Sequence, residues 1–268
     1  MSNLIRTIAK PGTVFLALVL APLSIAQPPA GAPPAAPAAG QAPAGMGGGM
    51  GRQPVDAKAA AAPHTMAPYL HPALANGPKA PDADGFLQRW LLLEPISIKP
   101  ALRGNTGFLA PYVREHLNKE YFPGQFGDLP RNADHAKVDD QDLAWHAIDS
   151  TMFDVKLYNF AWGLNKPVYS DIFYAVTIVN SPRDMSNIRL AVGSNSASIW
   201  KLNGQTVNEL FDDRRMVMDD VISHRLSLKK GKNILWGAVI NGPGLSDFCV
   251  RFIDGNGNPV KDITTSLQ

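Results

Sequence analysis

Beyond residue 150, apolar and polar positions alternate with a period of two through much of the chain. Phe153, Val155 and Leu157 fall on one face, with Asp154, Lys156 and Tyr158 on the other, the pattern of a half-buried strand. Residues 168–179 make the longest strand candidate. Val168, Ile172, Tyr174, Val176 and Ile178 share one face, and Phe173, Ala175 and Val179 occupy the other, which predicts a central strand covered on both sides. Ile188, Leu190 and Val192 alternate next, and strand-like runs follow at 197–202, 221–228, 233–240 and 247–253. Upstream, residues 86–93 form another apolar run around Trp90.

Turn chemistry separates these runs. Asn203-Gly204 favours the positive φ angles of a tight hairpin, and Lys229-Lys230-Gly231-Lys232, Asn241-Gly242-Pro243-Gly244 and Asp254-Gly255-Asn256-Gly257 play the same part. Short strands with turn signals every dozen or so residues predict an all-β fold, an antiparallel jelly-roll β-sandwich. One short helix is expected between Pro111 and Phe122, where Val113, Leu117 and Tyr121 recur at helical spacing. It lies in a long excursion, residues 98–142.

Composition divides the chain in three. Residues 1–26 have the layout of a signal peptide: Arg6 and Lys10, then an apolar run at 14–20, then Ser24-Ile25-Ala26. The run is too short for an ordinary membrane span of about 20 residues, although an uncleaved anchor remains the alternative. Residues 27–83 are dominated by Ala, Pro and Gly, which have little apolar surface to offset the entropy of ordering, and read as a disordered linker. Residues 84–268 then form one β-sandwich domain. The expected localisation is exported, periplasmic or extracellular, with no transmembrane span after signal removal. Loss of Arg6 and Lys10 takes the formal charge from +2 to about neutral. With no cluster of basic residues interleaved with aromatics, no nucleic-acid partner is expected. Cys249 is the single cysteine, so an internal disulfide is impossible, and its place between Phe248 and Val250 marks it as a buried apolar group.

Several segments together resemble the galactose-binding-like jelly-roll domains of bacterial secreted carbohydrate-active proteins. Phe86-Leu87-Gln88-Arg89-Trp90-Leu91-Leu92-Leu93-Glu94-Pro95-Ile96 resembles their first strand, and Leu143-Ala144-Trp145-His146 the Trp-containing strand after their variable excursion. Residues 192–204, ending Leu202-Asn203-Gly204, and 228–235, with its Lys-Gly turn and Asn233, resemble later core segments. Phe248-Cys249-Val250-Arg251-Phe252 resembles the final strand. The resemblance implies a carbohydrate-binding fold. Relatives often carry acidic residues and a glycine where this chain has Ser194-Asn195-Ser196, so it carries no cation or sugar contact over to that position.

Catalytic patterns are weak. Gly244-Leu245-Ser246-Asp247-Phe248 lacks the closing glycine of a nucleophile elbow, which makes Ser246 a turn residue. His116, His135, His146 and His224 are scattered without zinc spacing. Glu94 with Asp149 or Asp220 could form a glycosidase carboxylate pair, but nothing in their spacing selects them. No cofactor is expected, with structural calcium left open at the acidic pairs Asp212-Asp213 and Asp219-Asp220. Sugar binding needs flat aromatic faces and a few polar groups. Tyr158, Phe160, Trp162 and Tyr169 cluster around an expected loop at 161–167 and are the candidate ligand-binding residues, whereas Trp200 and Trp236 are assigned to the core. The sequence therefore points to an exported non-catalytic carbohydrate-binding module with a polysaccharide or oligosaccharide partner. Two alternatives stay open: a secreted hydrolase such as an acetyl-sugar (acetylxylan-type) esterase, and a structural or protein-interaction module of the cell envelope.

Overall fold

The computed structural model describes residues 64–73, 77–98, 110–211, 215–242 and 244–268. The expected signal peptide, the linker up to residue 63, and Asp212 and Asp213 lie outside the described residues.

The elements begin with β1 (Leu70–Pro72), β2 (Arg89–Leu93), β3 (Ile96–Ser97), α1 (Ala110–Asn118), β4 (His135–Val138) and β5 (Gln141–Ser150). They continue with β6 (Val155–Lys156), α2 (Leu157–Gly163), β7 (Asp171–Ser181), β8 (Met185–Ser194), β9 (Ala197–Leu202) and β10 (Gln205–Leu210). The chain finishes with β11 (Val221–Ile222), β12 (Leu226–Leu228), β13 (Gly231–Asn241), β14 (Asp247–Ile253) and β15 (Thr264–Ser266). The larger sheet runs β1-β5-β2-β7-β13-β9-β10, with β3 and β15 also pairing with β7, and β4 with β5. The smaller sheet runs β11-β8-β14-β6, with β12 on β8. Every paired ladder is antiparallel. This is the all-β sandwich expected from the alternation.

The larger sheet is buried on both faces because its strands are apolar on both. Phe173, Ala175 and Val179 of β7 meet Leu190 and Val192 of β8 and Phe248, Val250 and Phe252 of β14 between the sheets. Trp90, Trp200 and Phe248 pack edge to face at the centre of this layer. On the opposite face Ile172, Tyr174, Val176 and Trp236 are covered by the excursion, whose Val113, Leu117 and Phe122 seal a second core. The excursion thus builds a third layer. Trp200 and Trp236 are both core residues, as expected.

Two glycines show how closely the sequence specifies this geometry. Asn203 and Gly204 have φ of 51° and 80°, the paired left-handed conformations of a type I′ turn, and they join β9 to β10. Gly237 lies opposite Trp200 in the β13–β9 ladder, and a Cβ there would come within 2.6 Å of the indole Cη2.

Three boundaries differ from the sequence reading. The apparent strand over 153–157 is only Val155–Lys156, after which the chain turns into α2. Leu157, Phe160 and Ala161 are buried at helical spacing, and this signal overrides the two-residue alternation. Val168 precedes β7 and packs toward the inter-sheet core, so it does not share the face of Ile172. The folded domain also reaches back into the segment read as linker: Leu70 is buried, β1 pairs with β5, and Lys79 bridges to Thr265. Tyr69 and Leu70 supply the apolar surface that the Ala/Pro/Gly composition around them lacks.

Candidate aromatic ledge at one end of the sandwich

The inward face of α2 fixes what its outward face presents. With Leu157, Phe160 and Ala161 in the core, Tyr158 and Trp162, four residues apart, project together on the opposite side. The helix is held at both ends. The Tyr158 N–H donates to Ser246 O at 3.1 Å, tying its start to the loop before β14. Its end closes with Asn165 in the left-handed conformation at φ 55°. Asn165 N–H bonds to Trp162 O and Lys166 N–H to Ala161 O, the paired bonds of a Schellman cap.

The rings form a row. Tyr158 and Trp162 lie nearly parallel, 10° apart with centroids at 6.5 Å, and Tyr169 is tilted 6.1 Å from Tyr158. Trp162 is 39% exposed and Tyr169 50%. His64 stacks on one face of Trp162 at 4.0 Å, with its Nδ1 2.9 Å from Trp162 O. Of the four candidate binding residues, Phe160 is not on this surface. It is fully buried between the sheets, as its position on the inner face of α2 dictates.

Charged groups flank both ends of the ledge. At the helix start Lys156 Nζ bridges Asp154 Oδ2 at 2.8 Å and Asp247 Oδ2 at 3.0 Å, and both carboxylates are buried. Burial pushes the Asp247 carboxyl up, with the Lys156 ammonium opposing it. At the helix end Lys166 Nζ meets Glu94 Oε2 at 2.9 Å, and His146 Nε2 lies 3.2 Å from Glu94 Oε1. Burial raises the Glu94 pKa, but hydrogen bonds from Lys166 and His146 outweigh it and hold the carboxyl below its ordinary range. The His146 ring packs edge-on against Phe160 at 5.6 Å, so the ion cluster leans on the buried side of the same helix.

The other candidate groups are engaged elsewhere. Asp219 receives Arg251 through two nitrogens, Nε at 2.9 Å and Nη2, so its carboxylate already carries a cation. Asp220 is exposed. Among the described residues no three His, Cys, Asp or Glu side chains are grouped as a metal would need. Ser246 is buried and its Oγ has no hydrogen-bond partner, while Ser194 Oγ pairs with Ser198 Oγ. Neither serine is bonded to a histidine. Glu94 and Asp149 flank β2 and β5 at opposite ends, separated by roughly 16 Å of strand, each with its own cations. Cys249 is buried and its thiol is pushed up to about 12 by that burial, which suits the apolar role expected for it.

Linear spacing could not reveal the ion clusters, because Lys156 and Asp247 are separated by 91 positions and Glu94 and His146 by 52. The only available signal was the strand pattern, once β6 was paired with β14 and β2 with β5.

No protein-family model matches the chain, and no curated protein matches it. Solved structures give partial likenesses. A PA14 sugar-binding domain from an RTX adhesin is 13% identical, with a TM-score of 0.39 over 68% of this chain and 99% of that one. The PA14 domain of an antifreeze protein, MpAFP, is 11% identical, with a TM-score of 0.35 over 72% and 96%. A β-glucosidase from Kluyveromyces marxianus, solved with glucose, is 15% identical at a TM-score of 0.32 over 49% of this chain and 16% of that one. The two domains spanned almost end to end are PA14 domains rather than the galactose-binding-like domains expected. At these scores the likenesses carry no argument about function.

Proposed function

We propose that the protein is an exported, non-catalytic carbohydrate-binding module, and that the Tyr158–Trp162–Tyr169 ledge receives the sugar. The observation that supports this reading is three outward aromatic rings on a helix and loop anchored at both ends. Their faces suit the C–H faces of pyranose rings, and the ion clusters beside them offer charged hydrogen-bond groups that fix orientation. Anchoring lowers the ordering cost that a mobile loop would incur on binding. The reading needs no cofactor. His64 covers one Trp162 face and would either move aside or form part of the binding surface.

The test is a thermal-shift screen of the full chain against polysaccharides and oligosaccharides, with and without calcium. A ligand that binds only the folded state raises the melting temperature by mass action. A shift abolished by Trp162→Ala and Tyr158→Ala supports the ledge as the site. No shift with any glycan, from a well-folded sample, refutes it.

A protein-interaction role is the second reading. Val217, Met218 and Ile222 are exposed together around the short edge strand β11, an apolar margin that the sugar reading does not use.

A further inference from the structure

A second cleft, away from the ledge, lies where β1, β2 and β5 meet. Its volume is about 470 Å³, and its working walls are His71, Lys79, Gln88, Arg89, Asp149 and Thr151. A pocket of this size accommodates one or two sugar rings. We propose that it binds an anionic saccharide unit, a hexuronate, with the sugar carboxylate against Lys79 and the hydroxyls against Asp149, Thr151 and Gln88.

Arg89 is buried although charged. Its Nε and Nη2 bond Asp149 Oδ1 at 2.8 Å and Oδ2 at 2.7 Å, and its Nη1 donates to Gly77 O. This fork-to-fork pair directs the guanidinium at one carboxylate and leaves it little freedom. Burial raises the Asp149 pKa, but Arg89 and Lys79 outweigh it and hold the carboxyl below its ordinary range. Asp149 is therefore an anion at neutral pH, with Arg89 bonded to both of its oxygens and Lys79 held more loosely beside it.

Lys79 is then the surplus charge. Its ammonium stands 3.7 Å from Asp149 Oδ1, beyond good hydrogen-bond distance, and its side chain is partly open to solvent. Two cations face one carboxylate, so the cleft carries one net positive charge before His71 is considered. A neutral sugar would leave that charge to solvent, whereas a carboxylate would take it directly.

The remaining walls supply acceptors and fixed geometry. Thr151 Oγ–H is turned toward Pro68 O at 3.0 Å and Tyr69 O at 3.1 Å, which leaves its oxygen lone pairs as acceptors. Gln88 Nε2 donates to Met152 O at 3.0 Å, which fixes its amide and leaves the carbonyl oxygen as an acceptor. Asp149 oxygens retain lone pairs beyond those used by Arg89. These acceptors suit the O–H groups of a sugar, while the Lys79 ammonium is the donor for its carboxylate.

The cleft binds independently of the ledge, and the experiment separates the two. The full chain is titrated by calorimetry with digalacturonate, its neutral counterpart galactobiose, acetate and inorganic phosphate. Digalacturonate is expected to bind about tenfold or more tightly than galactobiose, and to weaken as salt rises toward ~0.5 M. Lys79→Gln should lose about tenfold, and Lys79→Arg should retain most of the affinity because it keeps the charge. Trp162→Ala should remove the ledge contribution, which the charged and neutral disaccharides share, and leave the salt-sensitive preference for digalacturonate over galactobiose unchanged. Equal affinity for the charged and neutral disaccharides, or a Lys79→Gln protein with unaltered melting and unaltered affinity, overturns the proposal. Competition by acetate or phosphate at the same concentration as digalacturonate overturns the sugar assignment and leaves a simple anion site.

Discussion

Asp171 opens β7 directly after the loop that carries Tyr169, and it is fully buried. Its Oδ1 accepts from Ser97 Oγ at 2.9 Å, while its Oδ2 has no partner. Across the ladder stands Asn241, whose own Oδ1 is likewise unpaired. Burial outweighs the Ser97 hydrogen bond and pushes the carboxyl up from 3.8 to about 6, with no charged neighbour contributing. A carboxyl whose folded pKa is raised favours the folded state while it holds its proton. That stability is fully present below about pH 4 and is lost as pH rises through about 6. At about 1.4 kcal/mol per pH unit, the loss between acid and neutrality is about 3 kcal/mol. Asp171→Asn removes the titration and keeps the acceptor for Ser97. An unpaired amide N–H adds a roughly pH-independent cost of about 1–3 kcal/mol, so the informative quantity is the change in relative stability between two pH values. Urea denaturation of both full chains at about pH 3.5 and 7.5 should show the variant gaining about 3 kcal/mol on the wild type between them. A difference that stays constant with pH would refute the reasoning and mean that Asp171 ionises normally inside the fold.

Two further outcomes test the packing beneath the ledge. Gly237→Ala places a methyl within 2.7 Å of three atoms of the fully buried Trp200 indole, and neither β9 nor β13 can retreat without breaking its ladder. It should cost at least about 1–3 kcal/mol, read as a lower urea midpoint at unchanged slope. Lys156→Met leaves the buried carboxylates of Asp154 and Asp247 facing each other without their cation, at a cost of about 3–5 kcal/mol near neutrality. Melting temperatures should converge with wild type as pH falls and the Asp247 carboxyl, pushed up by burial, takes its proton, and a deficit that persists in acid would refute the electrostatic account.

Alternation made the sandwich legible because period-two patterning is a direct record of which face is buried. It identified β7 as a central strand covered on both sides, and the helical spacing of Val113 and Leu117 located α1 within the excursion. It failed at 153–163, where a two-residue strand runs directly into a helix. Phe153, Val155 and Leu157 alternate, but Leu157, Phe160 and Ala161 also satisfy helical spacing, and a window this short contains both periods. Only the tertiary outcome, with Phe160 drawn between the sheets, decides between them. The same decision removes Phe160 from the candidate site and leaves Tyr158 and Trp162 on it. The charged clusters were hidden for a different reason. Each joins residues from strands far apart in sequence, so register has to be known before Lys156 can be set beside Asp247 or Arg89 beside Asp149.

The register also accounts for why two prospective sites occur on one sandwich. Arg89 pairs with Asp149 at one end of the β2–β5 ladder, and Glu94 lies just beyond the other, where it meets His146 and Lys166. Charges placed at the ends of an otherwise apolar ladder escape the core and must be paired at its margin, which rigidifies both margins. One rigid margin anchors the end of α2 and so orients the aromatic ledge. The other anchors the cleft beside β1 and leaves the Lys79 charge in excess. Weakening either pair should therefore disturb its own site and spare the other, because the β2 run from Trp90 to Leu93 that lies between them is apolar and buried throughout.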